Sequence, residues 1–334
     1  MARRICITLD WQNLNDRERL FRGVEIADRA GVDTVWVAEA WGRDAFTILT
    51  LLAERTRTIK LGTGIVNVYS RTPAALAQHF ATLDELSGGR AIAGFGTSGP
   101  QVIEHFHGVP FKPTLARMRE TIQIFDTLIA GRPLKHHGKV FQLDRGFTLR
   151  FKPVREHIPV WIASLNPKSL DLTAELADGW MPIMIPEKHL AGEIRSFRDR
   201  VVRAGRPADA VAVRSPDRVV VAPEDRDRAR RQAAGTLAFY IARMGTFYGA
   251  QLERFGHGDA VAAVRKAWNE KGADAGIDAV PSDLLDQVTT VGTVAECAAR
   301  IDVERAAGVD MHNVSVQTRS EAELERTLGE LVGA

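Results

Sequence analysis

Eight times along this chain a short apolar run gives way to an amphipathic helical stretch. The runs are Arg4–Leu9, Thr34–Ala38, Lys60–Asn67, Ala91–Phe95, Pro159–Ala163, Gly179–Met184, a segment within Val211–Val221, and His312–Val316. The second of them is nearly all apolar and β-branched, as a strand is when helices cover both faces of its sheet. Strands separated by helices pair in parallel, because the chain must cross back before the next strand begins. The order therefore predicts an α/β fold. Eight such units predict a single closed (β/α)8 TIM barrel rather than an open doubly wound sheet. A weak internal repeat agrees: Ala30-Gly31-Val32-Asp33 leads into the second run and Ala307-Gly308-Val309-Asp310 into the eighth.

Local signals mark the helices. Asn15 with Glu18 three residues on reads as a capping box, and Gly31 as the left-handed stop of that helix. A second helix is predicted over Ala45–Arg55. Thr72 caps a third, with Pro73 in its first turn, Leu76, Phe80 and Leu83 as its stripe and Gly88-Gly89 as its end. A fourth covers Pro113–Ala130, with Met118, Ile122, Phe125 and Ile129 on one side. Ser320 with Glu323 opens the last. Two stretches exceed the repeating unit. Residues 131–157 read as a hairpin, Val140–Leu143 with Phe147–Phe151, and residues 225–292 as helical. Both are expected to be insertions, after helix 4 and around helix 7, into one domain spanning 1–334, a length that such barrels reach.

Totals exclude several function classes. Lys plus Arg number 44 and Asp plus Glu 42, a net charge of +2. No run joins clustered basic residues to interleaved aromatics, so nucleic acid is not expected as a partner. Two cysteines, Cys6 and Cys297, fit a reducing compartment without a disulfide framework. The N-terminus passes straight into a strand without a signal-peptide core, and no apolar run approaches the roughly 20 residues that span a bilayer. A cytoplasmic protein is expected, with no membrane partner.

In this barrel class the chemistry sits at the C-terminal ends of the strands. Those ends read Asp10-Trp11, Glu39-Ala40-Trp41, Gly64 to Asn67, Gly96 to Gln101, Ser164-Leu165-Asn166 and Met181 to Ile185. They hold no lysine placed for a Schiff base, no zinc-binding helix motif and no serine elbow. His105, His107 and the His136-His137 pair are too isolated for a metal, and none is expected. Glycine, apolar and small polar residues with aromatic edges remain. Such a pocket suits a large flat cofactor that brings its own reactivity. Gly94-x-Gly96-x-x-Gly99 matches a dinucleotide fingerprint but is followed by Pro100, with no acidic residue ending a second strand about 20 residues on. In Ser164-Leu165-Asn166-Pro167-Lys168, either Asn166 or Ser164 can cap a helix begun by Pro167. That helix start could hold a phosphate or be a cap alone.

The segments VWVAEAWGRDAF, KLGTGIVNVYSRTPAALAQHFATLDELSGGRAIAGFGTSGP and IPVWIASLNPKSLDLTAELADGW, with the AGVD before the eighth run, resemble the bacterial luciferase-like flavin and deazaflavin superfamily. Within it they most resemble coenzyme F420-dependent oxidoreductases, including reductases similar to methylenetetrahydromethanopterin reductase. Residues 1–185 carry most of the resemblance. It implies a bulge with a non-prolyl cis peptide after strand 3, at Gly64-Ile65, backing the central cofactor ring, with Ala40, Val66 and Asn67 around it. It implies a phosphate site at Ala163, Ser164, Leu165 and Asn166, with Thr97 and Ser98 also near the cofactor. Some F420 enzymes carry an Asp-His pair after strand 2, where this chain reads Ala38-Glu39-Ala40-Trp41, and a glutamate after strand 4, where it has Pro100. Glu39 is then the first candidate proton donor and Asp10 the second, with a cofactor or structural hydrogen bond as the other role for Glu39. Trp11 and Trp41 are the candidate substrate contacts.

The implied activity is hydride transfer between F420 and a small organic substrate, in a homodimer. The alternatives are an FMN-dependent monooxygenase and a cofactor-binding barrel without turnover.

Overall fold

A computed structural model describes residues 3–9, 16–216 and 218–333. The chain divides into two compact units. One comprises residues 6–180 with 200–211, and the other residues 1–5, 181–199 and 212–334.

The first unit begins with β1 (Ile5–Thr8), α1 (Arg17–Arg29), β2 (Thr34–Val37), α2 (Ala45–Arg55), β3 (Lys60–Thr63) and β4 (Val66–Asn67). It continues with α3 (Pro73–Leu86), β5 (Ala91–Gly96), α4 (Pro100–His105) and α5 (Thr114–Ile129). After these come β6 (Leu134–His137), β7 (Gln142–Phe147), β8 (Val160–Ala163), α6 (Pro167–Leu176) and β9 (Gly179–Met181). Strands β1, β2, β3, β5 and β8 pair side by side and in parallel, and β4 pairs with β5. Spatial order thus follows chain order without the reversal that defines a doubly wound sheet. All four β2 residues and all six of β5 are buried, which accounts for their apolar runs. Leu76, Phe80 and Leu83 bury the predicted face of α3, where Phe80, Phe95 and Phe125 meet edge-to-face at 5.4–5.6 Å.

The second unit holds α7 (Glu187–Arg203, its last turn in the first unit), β10 (Ala212–Val213), β11 (Arg218–Val221), α8 (Arg226–Arg243) and α9 (Phe247–Arg254). Next come α10 (Gly258–Lys271), α11 (Ala273–Asp278), α12 (Ser282–Val288) and β12 (Thr289–Gly292), and then α13 (Val294–Ala306), β13 (His312–Val316) and α14 (Glu321–Gly333). Strand β11 lies between β12 and β13, parallel to both. The residues 225–292 are helical, as expected, and α8 to α12 close over Leu237, Ile241, Leu252, Val261 and Leu284.

Several boundaries differ from the sequence expectations. Asn15 lies outside the described residues; the side chain capping α1 is Asp16, which accepts the Arg19 N–H at 3.1 Å. The sixth run is strand only to Met181, and Met184, beyond it, takes a positive φ of 53°. The seventh is interrupted into β10 and β11. Strand β12 was not anticipated, because its Thr289-Thr290-Val291 closes a helical stretch. The hairpin pairs Leu134–His137 with Gln142–Phe147, not Val140–Leu143 with Phe147–Phe151. The cause is Glu120 on α5, whose buried carboxylate accepts the amides of Lys139, Val140 and Phe141 and so makes those residues the turn.

Candidate active site

The exit ends of β2, β3, β5 and β8 lie along one edge of the parallel sheet, and the candidate site is built there. Asp10 and Trp11 lie outside the described residues.

Strand β3 stops at Thr63 and pairing resumes only at Val66. The intervening Gly64–Ile65 peptide is cis, as the resemblance implied. Gly64 N–H donates to Val37 O at 2.8 Å, and Glu39 N–H donates to Ile65 O at 3.0 Å. The glycines have a packing cause. A Cβ on Gly62 would lie 2.4 Å from the Trp36 ring, and one on Gly64 would meet Trp36 Cβ at 3.0 Å. What they make room for is thus a tryptophan on the adjacent strand. Strand β5 shows the same logic. A Cβ on Gly94 would strike Thr63 O, while Thr63 Oγ1 itself bridges Gly94 N and O at 3.0 and 2.7 Å. A Cβ on Gly96 would meet Ile65 Cδ1 at 2.7 Å. The Gly94-x-Gly96 spacing therefore serves close strand approach, and only the six-residue α4 follows it.

Gly64 and Ile65 are half-buried, while Val66 and Asn67 are fully buried. Asn67 Oδ1 accepts Tyr69 N–H at 2.9 Å and Ser70 N–H at 2.7 Å, which fixes the turn after β4. Thr97 and Ser98 are half-buried, and Ser98 holds a positive φ of 55° that a residue with a Cβ rarely adopts.

After β2, Glu39 is tied by three donors. Arg71 contacts both its oxygens, at 2.6 and 3.0 Å, and Ala45 N–H reaches Oε2 at 3.0 Å. Arg71 also reaches Asp44 at 2.8 Å, the residue that caps α2, and lies over Phe46 at 5.1 Å. Burial opposes the Arg71 charge, but Glu39 and Asp44 outweigh it and hold the guanidinium above its ordinary pKa. His79, stacked on Phe46, is pushed down by burial and by Arg71. Glu39 thus acts here as an acceptor that joins two loops. Beside it Ala40 is half-buried, and Trp41 stands 49% exposed.

After β8, Ala163 and Leu165 are half-buried. Ser164 is buried and turned inward, its hydroxyl 2.8 Å from Thr173 and its carbonyl accepting Trp180 Nε1–H at 3.1 Å. Of the two possible caps, Asn166 is the one used. It forms a capping box with Ser169, and Pro167 takes the first turn.

The sequence did not single out Arg71 or bring His107 into the site. His107 Nε2 lies 3.4 Å from Asn67 Nδ2. Arg71, between the strand end and the Thr72 cap, was a charged residue in an otherwise small and polar turn, and that was its only signal.

Along this edge Gly64, Ile65, Thr97, Ser98, Ala163 and Leu165 are half-buried, with the Ile65 side chain filling the space a Cβ on Gly96 would need, and Lys168 is exposed at the start of α6, where free N–H groups suit an anion.

The profile of the family described as luciferase-like monooxygenase matches residues 10–311. A Mycobacterium tuberculosis protein named as a coenzyme F420-dependent oxidoreductase is 35% identical over 327 residues, covering 92% of this chain and 93% of that one. The 5,10-methylenetetrahydromethanopterin reductase of Archaeoglobus fulgidus is 35% identical over 296 residues, covering 86% of each. Among solved structures, the coenzyme F420-dependent tetrahydromethanopterin reductase from Methanopyrus kandleri superposes with a TM-score of 0.83, covering 99% of this chain and 98% of that one at 22% identity.

Proposed function

This chain belongs to the luciferase-like monooxygenase family, and within it we propose an F420-dependent oxidoreductase that moves a hydride between the deazaflavin and a small organic substrate. The observation that carries the reading is the interrupted β3–β4 edge, where Gly64 and Ile65 sit half-buried between the Glu39 N–H and the bare Gly96. When bound, the deazaflavin supplies the hydride chemistry.

The chain's own residues hold and orient. Gly64, Ile65 and Ala40 form the wall behind the ring, with buried Val66 packed beneath them, and Thr97 and Ser98 flank it. Ala163 to Asn166 position the phosphate at the α6 start. Asn67 fixes the turn beside the ring. Trp41, with Trp11, offers an aromatic face to substrate. Glu39 is assigned a positioning role, since all three hydrogen bonds to its carboxylate come from donors of Arg71 and Ala45 and its own N–H holds Ile65. Asp10 is then the carboxylate left to handle a proton. A closed (β/α)8 barrel as one domain over 1–334, with insertions at about 131–157 and 225–292, is part of the same reading, as are a cytoplasmic setting and a homodimer. Among the described residues no helix is long and apolar enough to cross a membrane.

Fluorescence titration of the purified protein with F420 and, separately, with FMN tests the proposal. Tighter F420 binding is the expected outcome. Tighter FMN binding would move the assignment to an FMN-dependent monooxygenase, the reading that the family's description favours. E39Q is expected to weaken F420 binding several-fold, because a side-chain amide cannot accept both Arg71 contacts. Unchanged affinity with lost turnover would return Glu39 to the role of proton donor.

A further inference from the structure

Besides fixing its own turn, Asn67 meets His107 in a polar contact that the reading above does not use. Asn67 is fully buried. Two backbone amides, of Tyr69 at 2.9 Å and Ser70 at 2.7 Å, converge on its side chain, and a backbone N–H can only donate. The atom they meet is therefore the amide oxygen. The orientation of Asn67 is thus set by its own turn, and reversing it would cost both bonds and oppose donor to donor. Its NH2 is left facing His107, with Nδ2 3.4 Å from Nε2.

The NH2 is a donor only, so the ring nitrogen that meets it must present a lone pair. Nε2 then carries no proton, and the single ring proton of a neutral imidazole resides on Nδ1. The rest of the contact is fixed as well. His107 N–H closes α4 on Val102 O at 3.1 Å, and the ring meets Phe106 edge-on at 4.9 Å. The imidazole is half-buried. It stands on the loop after β5, directly against the residue that follows the Gly64–Val66 stretch.

We propose that Asn67 locks His107 as a neutral, Nδ1-protonated imidazole, and that this N–H donates to an acceptor oxygen of the bound cofactor. The second half of the proposal rests on the assignment of the exit edge as the cofactor site. It gives that edge an uncharged donor, held by a partner that itself cannot turn. A fixed neutral donor rewards a ligand oxygen without requiring the site to bury a charge.

The first half is tested on the wild-type full-length protein without ligand. Long-range proton–nitrogen correlation of ¹⁵N-histidine-labelled protein reads the tautomer directly, and the signal absent from H107N assigns it. The expected pattern is protonated Nδ1 and bare Nε2 for His107. Protonated Nε2 would overturn the lock. N67D is the control: a carboxylate at 67 still accepts Tyr69 and Ser70 but asks the ring for an Nε2 proton, so the bare Nε2 signal should be lost.

The second half is read by F420 fluorescence titration. H107L should bind roughly five- to tenfold more weakly, the size of one neutral hydrogen bond. H107N, whose side-chain NH2 falls near the Nδ1 position, should recover to within about twofold of wild type. H107L binding like wild type, or H107N binding as weakly as H107L, would overturn the contact. Circular dichroism and thermal melts identify a variant that has merely lost its fold. Should wild type bind FMN instead, the same two variants read with FMN decide the contact. A protein that binds neither cofactor overturns both the contact and the functional reading, while the tautomer measurement stands apart.

Discussion

The two edges of the parallel sheet in residues 6–180 use polar side chains in opposite ways. At the entry edge, buried or half-buried carboxylates take the first amides of the strands. Asp28 accepts the N–H groups of Arg57, Thr58 and Ile59 at 2.6–2.9 Å together with the Thr58 hydroxyl. Asp84, 1% exposed, accepts Ala91 N–H at 3.0 Å and Arg155 Nε at 2.9 Å. Asp178 accepts Val160 N–H at 2.7 Å and pairs with His157 at 2.8 Å. Arg90 donates to the carbonyls of Ala53, Thr56, Ile59 and Ser87. At the exit edge, polar atoms hold loops instead: Arg71 to Glu39 and Asp44, Asn67 to its own turn, Asn166 to the α6 start. Between them lie small half-buried residues and a positive-φ Ser98. One edge is closed by buried ion pairs and amide caps, and the other is the edge that the proposal assigns to a ligand, the division expected of the two faces of a (β/α) fold.

The largest effect expected from this contrast is at Asp84. Asp84→Ala removes the partner of the Arg155 guanidinium and orphans Ala91 N–H at the head of β5. Because Arg155 is 31% exposed and keeps its bond to Ala91 O, the cost is that of the orphaned Ala91 N–H and the lost charged hydrogen bonds, about 2–3 kcal/mol. The expected result is a lowered denaturant midpoint with the F420 affinity of the folded protein unchanged. A variant that kept its stability and lost its ligand would dissolve the distinction between the edges.

The exit edge was the more legible of the two, and the reason is sequence distance. Helix starts are local: Thr72-Pro73, Asn166-Pro167 and Ser320 with Glu323 each declare a cap within three residues, and the structure uses all of them. The glycines of β3 and β5 were visible, though not that Trp36 and Ile65 would fill their space. The entry-edge carboxylates gave no sign, because Asp28 meets residues 29 to 31 positions away and Arg155 meets Asp84 across 71. The hairpin was placed out of register for the same reason, since Glu120 acts on amides 19 to 21 residues distant. His107 looked isolated because its partner Asn67 lies 40 residues earlier.

Gly96→Ala sharpens the contrast from the other side. The new Cβ would overlap Ile65 Cγ1 and Cδ1 at 2.8 and 2.7 Å, so the Ile65 side chain must move. Overpacking of this kind costs about 1 kcal/mol when a side chain can yield. With Ile65 backing the ligand as proposed, F420 binding should suffer more visibly, weakened about tenfold, or about 1.4 kcal/mol. Calorimetric melting and fluorescence titration on the same preparation separate the two. Equal affinity for wild type and variant would show that Ile65 does not back the ligand.

The smallest effect is a pH dependence confined to the entry edge. Asp126 on α5 is pushed up to about 6 by burial, with Asp178 adding to the shift and His157 opposing it. His157 is raised in turn by its bond to Asp178. A carboxyl raised in the folded state binds its proton more tightly than in the unfolded chain, so its contribution falls as pH climbs from about 4 to about 6 and is flat beyond. A raised histidine contributes fully below its unfolded value near 6.5 and loses that contribution as pH passes through its folded value. Both therefore favour the acid side, in successive windows. Asp126→Asn removes the first and, because the Asp126 charge also helps raise His157, weakens the second; Asp126 is partly open to solvent, which screens it. The variant is expected to gain about 1 kcal/mol relative to wild type between pH 4 and pH 6.5, measured by urea unfolding at each pH. F420 affinity, which the proposal assigns to the opposite edge, should show the same pH profile in both proteins. A profile that shifted with Asp126→Asn would mean that the two edges are coupled through the strands between them.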